Sequence, residues 1–188
     1  DKNEIYLINN DLNLSNVFKK NEDFIESTNL ILDTIKKKEK ICILGDYDVD
    51  GSTATSLFVN FFENLKHPYF YYIPDRVKDG YGASVKLLKK LLLKKPKLII
   101  MVDCGSTSIE AINYLNYNNI KSIVIDHHEI NKPYPKANVI INPKKNNGYI
   151  EYSYFCATTL TFFFLEMFSR KIKCKIDLKK YLIYVVLA

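Results

Sequence analysis

Three short segments of the sequence carry the side chains that are best suited to chemistry. Each segment directly follows an apolar run, and together they hold Asp46, Asp48, Asp50, Asp103, Asp126, His127, His128 and Glu129. Carboxylates are hard oxygen ligands that suit Mg²⁺ or Mn²⁺, and an imidazole shifts the preference toward Mn²⁺. The residue types therefore indicate a site for divalent metal ions.

The spacing of these groups indicates what such a site would do. Two carboxylates at positions i and i+2, such as Asp46 and Asp48, can face different metal ions, and a carboxylate from another segment can bridge them. Two ions about 3.5–4 Å apart activate water and stabilise an in-line displacement at phosphorus. The four cysteines lie far apart without a Cys-x-x-Cys pair, so we expect buried free thiols rather than a zinc site.

Each segment taken alone has a simpler interpretation. The Asp-x-Asp-x-Asp-Gly repeat that ends at Gly51 resembles half of an EF-hand loop, but no glutamate follows at the twelfth position. Asp50 could serve only to cap the following helix, Asp103 could be a turn residue, and either histidine could be structural. The joint placement of all three segments at the ends of expected strands favours a functional site.

The elements that would position these residues follow from the apolar runs. Strands are predicted at 41–44, 69–73, 98–102, 122–125 and 138–141. Helices are predicted at 21–38, 52–64, 84–94, 107–117 and 154–168, with a last one beginning near Asp177. Ser84 is expected to cap the third of these helices, and a capping box at 107–110 is expected to open the fourth.

The order of these elements indicates the fold class. The strands are continuous apolar runs that alternate with helices, which is typical of a parallel sheet covered on both faces. In such sheets a ligand binds beyond the C-terminal ends of the strands, which is where the candidate residues stand. We therefore expect a Rossmann-like α/β domain, with an about five-stranded, mostly parallel sheet and helices on both faces.

The composition bounds the class of protein. Of the 188 residues, 47% are hydrophobic and 26% are charged, which excludes a disordered chain. The net charge of +6 is compatible with a polyanionic ligand but does not by itself indicate one. The most apolar run, 154–168, is too short to span a membrane and contains Glu166. Because no signal peptide is visible, we expect a cytoplasmic protein without a membrane partner.

The three segments, in this order, resemble the first three motifs of the DHH phosphoesterase family. The form of the first motif, and the segment Ile-Pro-Asp-Arg-Val-Lys-Asp-Gly-Tyr-Gly at 73–82, are similar to the RecJ subgroup of single-strand DNA exonucleases. Asn142-Pro143 and the helix that contains Cys156-Ala157 also resemble that subgroup. The resemblance covers about 38–188, and residues 1–37 are expected to form a helical lead-in to this DHH domain.

The resemblance implies a role for each candidate residue. The metal ligands would be Asp46, Asp48, Asp103 and His127, and the catalytic groups would be Asp103, Asp126 and His128. Asp103 would bridge the ions, Asp126 would orient its neighbouring histidine, and His128 would contact the scissile phosphate. The substrate would be bound by Arg76, Tyr81, Gly82 and His128. Arg76 would hold a phosphate through its bidentate fork, whereas Tyr81 could instead be a loop anchor packed on the core.

The function that the resemblance implies is metal-dependent hydrolysis of phosphodiester bonds. The enzyme would be a 5′-to-3′ exonuclease on single-stranded DNA in repair and recombination, using Mn²⁺ or Mg²⁺ and acting as a monomer. One alternative is a DHH enzyme that acts on short RNA or a phosphorylated nucleotide. The segment 76–82 disfavours this alternative. The others are a non-catalytic scaffold of the same fold, disfavoured by the intact motifs, and a Ca²⁺-binding module, disfavoured by the histidines.

The sequence departs from the family pattern in two places. Leu44 stands where some members have a histidine, so we expect the first metal ion to have fewer protein ligands. The fourth motif, which supplies a further aspartate, is expected after the apolar run at 181–188, where the sequence ends. We therefore expect a fragment that is weakly active or inactive on its own.

Overall fold

The computed structural model describes residues 17–145, 150–173 and 176–188. Its strands are β1 (Ile41–Leu44), β2 (Tyr69–Tyr72), β3 (Leu98–Val102), β4 (Lys121–Ile125) and β5 (Val139–Ile141). They form one sheet in the order β2-β1-β3-β4-β5, and every neighbouring pair is parallel. The expected five-stranded sheet is confirmed.

Helices connect these strands. The α-helices are α1 (Glu22–Lys36), α2 (Val49–Asn64), α3 (Val85–Leu92), α4 (Ile109–Tyr117), α5 (Ala157–Lys171) and α6 (Leu182–Leu187). Two short 3₁₀ helices lie at Ile150–Tyr152 and Leu178–Tyr181, and the second begins where Asp177 accepts a hydrogen bond from the amide of Lys179 at 3.1 Å. The helix expected near Asp177 is therefore a 3₁₀ turn that leads into α6.

The sheet separates two apolar cores, one on each face. In β3, Leu98 and Ile100 point toward the core that contains α1, α2 and α5, whereas Ile99 and Met101 point toward the core of α3 and α4. Successive side chains of a strand point to opposite faces, so a strand that is buried on both faces must be apolar throughout. The expectation of helices on both faces is confirmed.

The first core is rich in phenylalanine. Phe58 of α2 lies 6.0 Å from Phe164 of α5 between ring centroids, and Phe61 lies 5.4 Å from Phe168. These contacts bury the apolar run that the sequence placed at 154–168, and no helix within the described residues is long and apolar enough to cross a membrane. The large aromatic area removed from water holds α5 against α2.

Helix α1 belongs to the same core. The side chain of Asn21 caps the helix by accepting a hydrogen bond from the amide of Phe24 at 3.0 Å, and Phe24 and Ile31 are fully buried. The ammonium group of Lys145 also binds Asp23, at 2.9 Å. The domain boundary expected between 37 and 38 stays a prediction, and residues 1–16 lie outside the described part of the chain.

Three of the four cysteines lie within the described residues, as does the predicted cap of α3. Cys42 and Cys104 are buried free thiols as expected, Cys156 is half-buried, and Cys174 lies outside the described residues. Ser84 caps α3 as expected, by accepting a hydrogen bond from the amide of Leu87 at 3.2 Å.

The expected capping box at 107–110 is wrong. Helix α4 begins at Ile109, and the residue before it, Ser108, makes no side-chain cap bond to any described residue. The amide of Ser108 donates to the carbonyl of Gly105 at 3.1 Å. A turn therefore takes up the residues that follow β3, and the helix starts two residues late.

Candidate metal centre

Three carboxylates meet at the C-terminal edge of the sheet. Asp46 comes two residues after β1, while Asp103 and Asp126 directly follow β3 and β4, and their exposed fractions are only 2%, 1% and 1%. The amide of Asp103 donates to Ile125 at 2.9 Å, and the amide of Asp126 donates to Ile141 at 3.0 Å. The strand ladder thus continues for one residue and fixes the backbone from which both carboxylates project.

The acidic and histidine side chains form two groups that share Asp103. Possible ligand atoms of Asp46, Asp48 and Asp103 all lie within 4.8 Å of one another, and so do those of Asp103, His127 and His128. The expected ligands are therefore brought together, with Asp103 between the two groups. His128, expected to contact phosphate, also lies within reach of the second group.

The carboxylate of Asp103 fits a divalent cation. Its two oxygens are buried and have no hydrogen-bond partner among the described residues, although Nε2 of His127 lies 3.3 Å from Oδ1 without the alignment that a hydrogen bond needs. A buried carboxylate costs free energy unless a charge or donor satisfies it. Bound metal ions would supply that charge, so these residues suit the expected cofactor.

The backbone and electrostatics of Asp103 point the same way. Its φ is +59°, in the left-handed region that aspartate adopts more readily than most residues. Burial raises the pKa of Asp103, the nearby charges of Asp50 and Asp48 raise it further, and contact with His127 opposes them. A backbone conformation and a buried charge that cost free energy are typical of functional sites, where the surrounding fold holds the residue in place.

Helix α2 is pressed closely against Asp46. The side chain of Asp48 caps this helix by accepting a hydrogen bond from the amide of Gly51 at 2.8 Å. A Cβ atom on Gly51 would lie 2.6 Å from Cβ of Asp46 and 2.7 Å from its Cα. Glycine at this position therefore allows the helix to begin beside Asp46, the first candidate ligand.

We expect Gly51→Ala to destabilise the fold and to weaken metal binding, because the new methyl group collides with the backbone of Asp46. Such overpacking costs about 1–3 kcal/mol. Gly80→Ala is the control, since Gly80 has φ +80° but open space around it, and an alanine there costs about 1–2 kcal/mol of backbone strain alone. Thermal melts and Mn²⁺ titrations of both variants measure the two effects. Unchanged Mn²⁺ affinity in Gly51→Ala would contradict the expectation.

Asp126 organises the two histidines. Its Oδ1 accepts hydrogen bonds from Nδ1 of His128 at 2.7 Å and from the backbone amide of His127 at 2.8 Å, and Oδ2 accepts from the amide of Ser106 at 3.0 Å. The ring that Asp126 orients is therefore that of His128, whereas the ring of His127 lies against Asp103. Burial alone would raise the pKa of Asp126, but hydrogen bonds from His128 and Ser106 lower it to about 2. The same hydrogen bond raises the pKa of His128 to about 9, despite its partial burial.

Asn142 supports this loop from the neighbouring strand. Its Nδ2 donates to Oγ of Ser106 at 2.8 Å and to the carbonyl of His128 at 2.9 Å. Asn142 and Ser106 are both buried, so the network is shielded from water and keeps the histidine segment in place. No role in the site was predicted for either residue, although Asn142 follows β5 just as Asp126 follows β4, and the strand-end rule alone could have identified it.

Asp50 and Glu129, the other acidic residues of the three segments, differ from the ligands. Asp48, and not Asp50, occupies the cap of α2, so the interpretation of Asp50 as the cap of its own helix is wrong. The carboxylate of Asp50 instead reaches the start of α5 and lies 3.4 Å from Nε2 of His127. Glu129 is exposed, pairs with Lys144 at 2.8 Å and belongs to neither group of possible ligands.

Three of the four expected substrate residues border an open cleft of about 800 Å³. Tyr81, Gly82 and His128 line it, and the hydroxyl of Tyr81 lies 3.3 Å from Nε2 of His128. The side chain of Tyr81 is half exposed, which favours contact with a ligand over packing on the core. Arg76 does not line the cleft, because its guanidinium lies over the ring of Tyr47, 5.4 Å from the centroid.

Asp79 anchors the loop that carries these residues. Its Oδ2 accepts a hydrogen bond from the hydroxyl of Tyr72 at 2.6 Å, and its Oδ1 accepts one from Nζ of Lys90 at 2.9 Å. Both bonds favour the ionised carboxylate, that of Tyr72 most, and they lower the pKa of Asp79 from 3.8 to about 2. Asp79 therefore joins the loop to β2 and α3.

We expect Asp79→Asn to lower the melting temperature at neutral pH, because the amide cannot replace both charged contacts. A carboxylate whose pKa is depressed by folding stabilises the fold above its ordinary pKa of 3.8, and this contribution is lost as the pH falls toward about 2. The difference in melting temperature between the wild type and Asp79→Asn should therefore shrink over that range. Lys78→Gln, which alters only an exposed pair with Asp75, is the control. A difference in melting temperature that does not change with pH would contradict the role of the ionised Asp79 in anchoring the loop.

Comparison with known proteins gives relatives of one kind. The single-stranded-DNA-specific exonuclease RecJ of Bacillus subtilis is 34% identical over 120 residues, which is 64% of this chain and 15% of that protein. The RecJ of Haemophilus influenzae is 33% identical over 119 residues, which is 63% of this chain and 21% of that protein. The chain thus spans about a fifth or less of the length of these curated relatives.

Solved structures share the fold. A crystal structure of exonuclease RecJ bound to manganese matches with a TM-score of 0.81 and 24% identity, over 92% of this chain and 43% of that one. RecJ from Thermus thermophilus in complex with Mn²⁺ matches with a TM-score of 0.73 and 22% identity, over 87% of this chain and 23% of that one.

The family itself is shown by a family model that matches most of this chain. The model described as the DHH family, N-terminal domain, matches residues 40–188 and so includes every strand and every candidate site residue. The α/β fold, the carboxylates at three strand ends and this match agree, and the chain belongs to the DHH family.

Proposed function

We propose that this chain carries the metal centre of a phosphodiesterase that digests single-stranded DNA from the 5′ end, in DNA repair and recombination. The observation that carries the proposal is Asp103, a buried carboxylate without a hydrogen-bond partner among the described residues that belongs to both groups of possible ligands. The names of the relatives specify single-stranded DNA as their substrate, and polarity and pathway rest on the resemblance to the RecJ subgroup.

The proposed ligands are Asp46, Asp48, Asp103 and His127. Divalent ions held there would lower the pKa of a bound water and stabilise the charge that develops on the phosphate. Mn²⁺ or Mg²⁺ suits this oxygen-rich set, and the imidazole favours Mn²⁺. The protein contributes fixed carboxylates at strand ends, so little rearrangement is needed when the ions bind.

His128 is the proposed contact to the scissile phosphate. Its ring is held by the 2.7 Å hydrogen bond to Asp126, and it faces the cleft beside Tyr81. The hydrogen bond to Asp126 raises the pKa of His128 to about 9 and so favours the protonated ring, which can donate a hydrogen bond to a phosphate oxygen. The oriented charge would stabilise the transition state more than the ground state.

Arg76 and Tyr81 are the proposed substrate residues of the loop, with Gly82. Arg76 offers two parallel donors to a phosphate, and its guanidinium lies over the ring of Tyr47, the residue between Asp46 and Asp48 in the sequence. A half-exposed tyrosine beside the cleft can stack on a base, which gives affinity without sequence preference. Together these contacts favour a nucleic-acid strand over a free nucleotide.

A nuclease assay on the complete gene product tests the proposal. With Mn²⁺ present, we expect digestion of 5′-phosphorylated single-stranded DNA, and much slower digestion of duplex DNA or short RNA. A block at the 5′ end should prevent digestion, whereas a block at the 3′ end should not. Preference for short RNA would instead favour the oligoribonuclease alternative. Tight Mn²⁺ binding without hydrolysis of any nucleic acid would favour the scaffold.

A further inference from the structure

Asp50 connects three separate parts of the chain. It lies in the first turn of α2, and its side chain is only 12% exposed. Oδ2 accepts a hydrogen bond from the amide of Ala157 at 2.8 Å, and Oδ1 accepts one from the amide of Thr158 at 2.7 Å. Oδ2 also lies 3.4 Å from Nε2 of His127, in the loop after β4. One carboxylate thus joins α2, α5 and a metal ligand.

The contact with α5 fixes the position of this carboxylate. The first amides of a helix have no partner within the helix, and Cys156, at the cap position of α5, makes no side-chain cap bond to a described residue. Asp50 supplies the missing acceptor from another helix, with its charge beside the positive end of the α5 dipole. Further bonds reinforce the joint, since Oγ1 of Thr158 donates to the carbonyl of Asp50 at 2.9 Å and lies 2.6 Å from Oγ1 of Thr53.

The approach of Asp50 to His127 connects the contact between α2 and α5 to the candidate metal site. Nε2 of His127 lies between two carboxylates, 3.4 Å from Asp50 and 3.3 Å from Asp103. Asp50 differs from Asp103, however, because each of its oxygens already accepts a short hydrogen bond from a backbone amide. About half of the acceptor sites of this carboxylate are therefore already engaged, and Asp50 belongs to neither group of possible metal ligands.

We propose that Asp50 is a positioning residue for the metal centre, holding the imidazole of His127 toward Asp103 by tying it to the N-terminus of α5. This inference rests on the proposed metal site. Asp50 faces the same ring nitrogen as Asp103 without a hydrogen bond, so it would act on His127 through its charge and its fixed position. Residues that orient a metal ligand from outside the ligand set commonly change metal affinity by about 10–100-fold. The packing of α5 against α2 is then part of what sets the affinity for metal.

The test compares Asp50→Asn with Thr158→Val in the full chain. In Asp50→Asn, an NH₂ group replaces one of the two oxygens that accept hydrogen bonds from the amides of Ala157 and Thr158. The variant therefore loses one of these bonds, and it also loses the negative charge beside His127. Thr158→Val removes the hydroxyl bonds between α2 and α5 but leaves His127 untouched. We expect both variants to melt earlier, while Mn²⁺ affinity by calorimetry falls about tenfold or more in Asp50→Asn and stays within about twofold in Thr158→Val.

A second arm asks whether the effect passes through the histidine. In a His127→Ala background, Asp50→Asn should cause no further loss of Mn²⁺ affinity, although it should still lower the melting temperature. If Asp50→Asn does not fold, Asp50→Glu keeps the charge but moves it by one methylene, and it should fold with weakened Mn²⁺ binding.

Three results would overturn the positioning role. The first is an equal loss of Mn²⁺ affinity in Asp50→Asn and Thr158→Val. The second is an unchanged Mn²⁺ affinity in the Asp50 variants. The third is a loss of cooperative melting in both Asp50 variants, which would make Asp50 a structural helix cap alone. A different result would contradict the proposed function itself, namely that the wild-type chain binds no Mn²⁺.

Discussion

Asp103→Asn is expected to weaken Mn²⁺ binding by more than about 100-fold, beyond the about 10–100-fold typical of losing a partner outside the ligand set. Asp103 belongs to both groups of possible ligands, so its loss affects every ion that the site holds. Asparagine retains the shape of the side chain and tolerates the left-handed φ of +59°. Calorimetric titration with Mn²⁺, and then with Mg²⁺, measures the loss, and the wild type should bind Mn²⁺ more tightly.

The same variant should show an opposite effect on the metal-free fold. Both oxygens of Asp103 are buried without a hydrogen-bond partner among the described residues, next to the carboxylates of Asp48 and Asp50. Removing this charge relieves a cost that His127 and His128, whose ring nitrogens lie 3.3 and 3.8 Å from Oδ1 of Asp103, offset only in part. Metal-free Asp103→Asn should therefore melt no earlier than the wild type at neutral pH. The wild type should gain melting temperature when Mn²⁺ is added, and the variant should not.

Glu129→Gln is the matched control for Asp103→Asn. It also removes one negative charge from the motif segments, but Glu129 is exposed and paired with Lys144. We expect normal Mn²⁺ affinity and normal melting for this control. If Asp103→Asn bound Mn²⁺ as the wild type does, Asp103 could not be the shared ligand.

His128→Ala is expected to lower turnover by about 100-fold or more while leaving Mn²⁺ binding nearly normal. Removing one oriented donor that stabilises transition-state charge typically has an effect of this size. His127→Ala should instead reduce both turnover and Mn²⁺ affinity, because its ring faces Asp103 and not the cleft. Turnover is measured with the complete gene product on single-stranded DNA, and binding by titration.

The two histidine variants also decide between two roles for His128, as a metal ligand or as a contact to the substrate phosphate. Its ring lies within reach of the second ligand group, as well as beside Tyr81 in the cleft. Equal loss of Mn²⁺ from His127→Ala and His128→Ala would make His128 a ligand and would refute the division of roles. Tyr81→Phe, which keeps the ring beside His128, should leave Mn²⁺ binding unchanged in either case.

The fold could be predicted closely where burial alone decides the pattern. The strand predicted at 98–102 matches β3 to the residue, because a central parallel strand must be apolar on both faces. The strand predicted at 69–73 is one residue shorter and ends at Tyr72, and α4 begins two residues later than predicted. Those boundaries depend on turn geometry after the strands, which the apolar pattern does not record.

The candidate site was predictable where a strand end determines position, and not where a tertiary contact does. Asp46, Asp103 and Asp126 could be placed at one edge because parallel strands end together. The contact of Asp50 with Ala157 joins residues 107 positions apart, and no local signal distinguishes it from an ordinary helix cap. The pairing of Asp126 with His128 rather than His127 depends on ring orientation, which the sequence does not contain.

The docking of α1 against α5 has a consequence for how the protein is made. Lys171 in the last turn of α5 donates to Asn29 of α1 at 2.6 Å, a contact between residues 142 positions apart. During synthesis, the part of the sheet face that α5 covers therefore stays exposed until residues 157–171 have left the ribosome. Chains with such distant contacts fold slowly and expose apolar surface meanwhile. The nascent domain should therefore depend on chaperones until α5 is available to cover this surface.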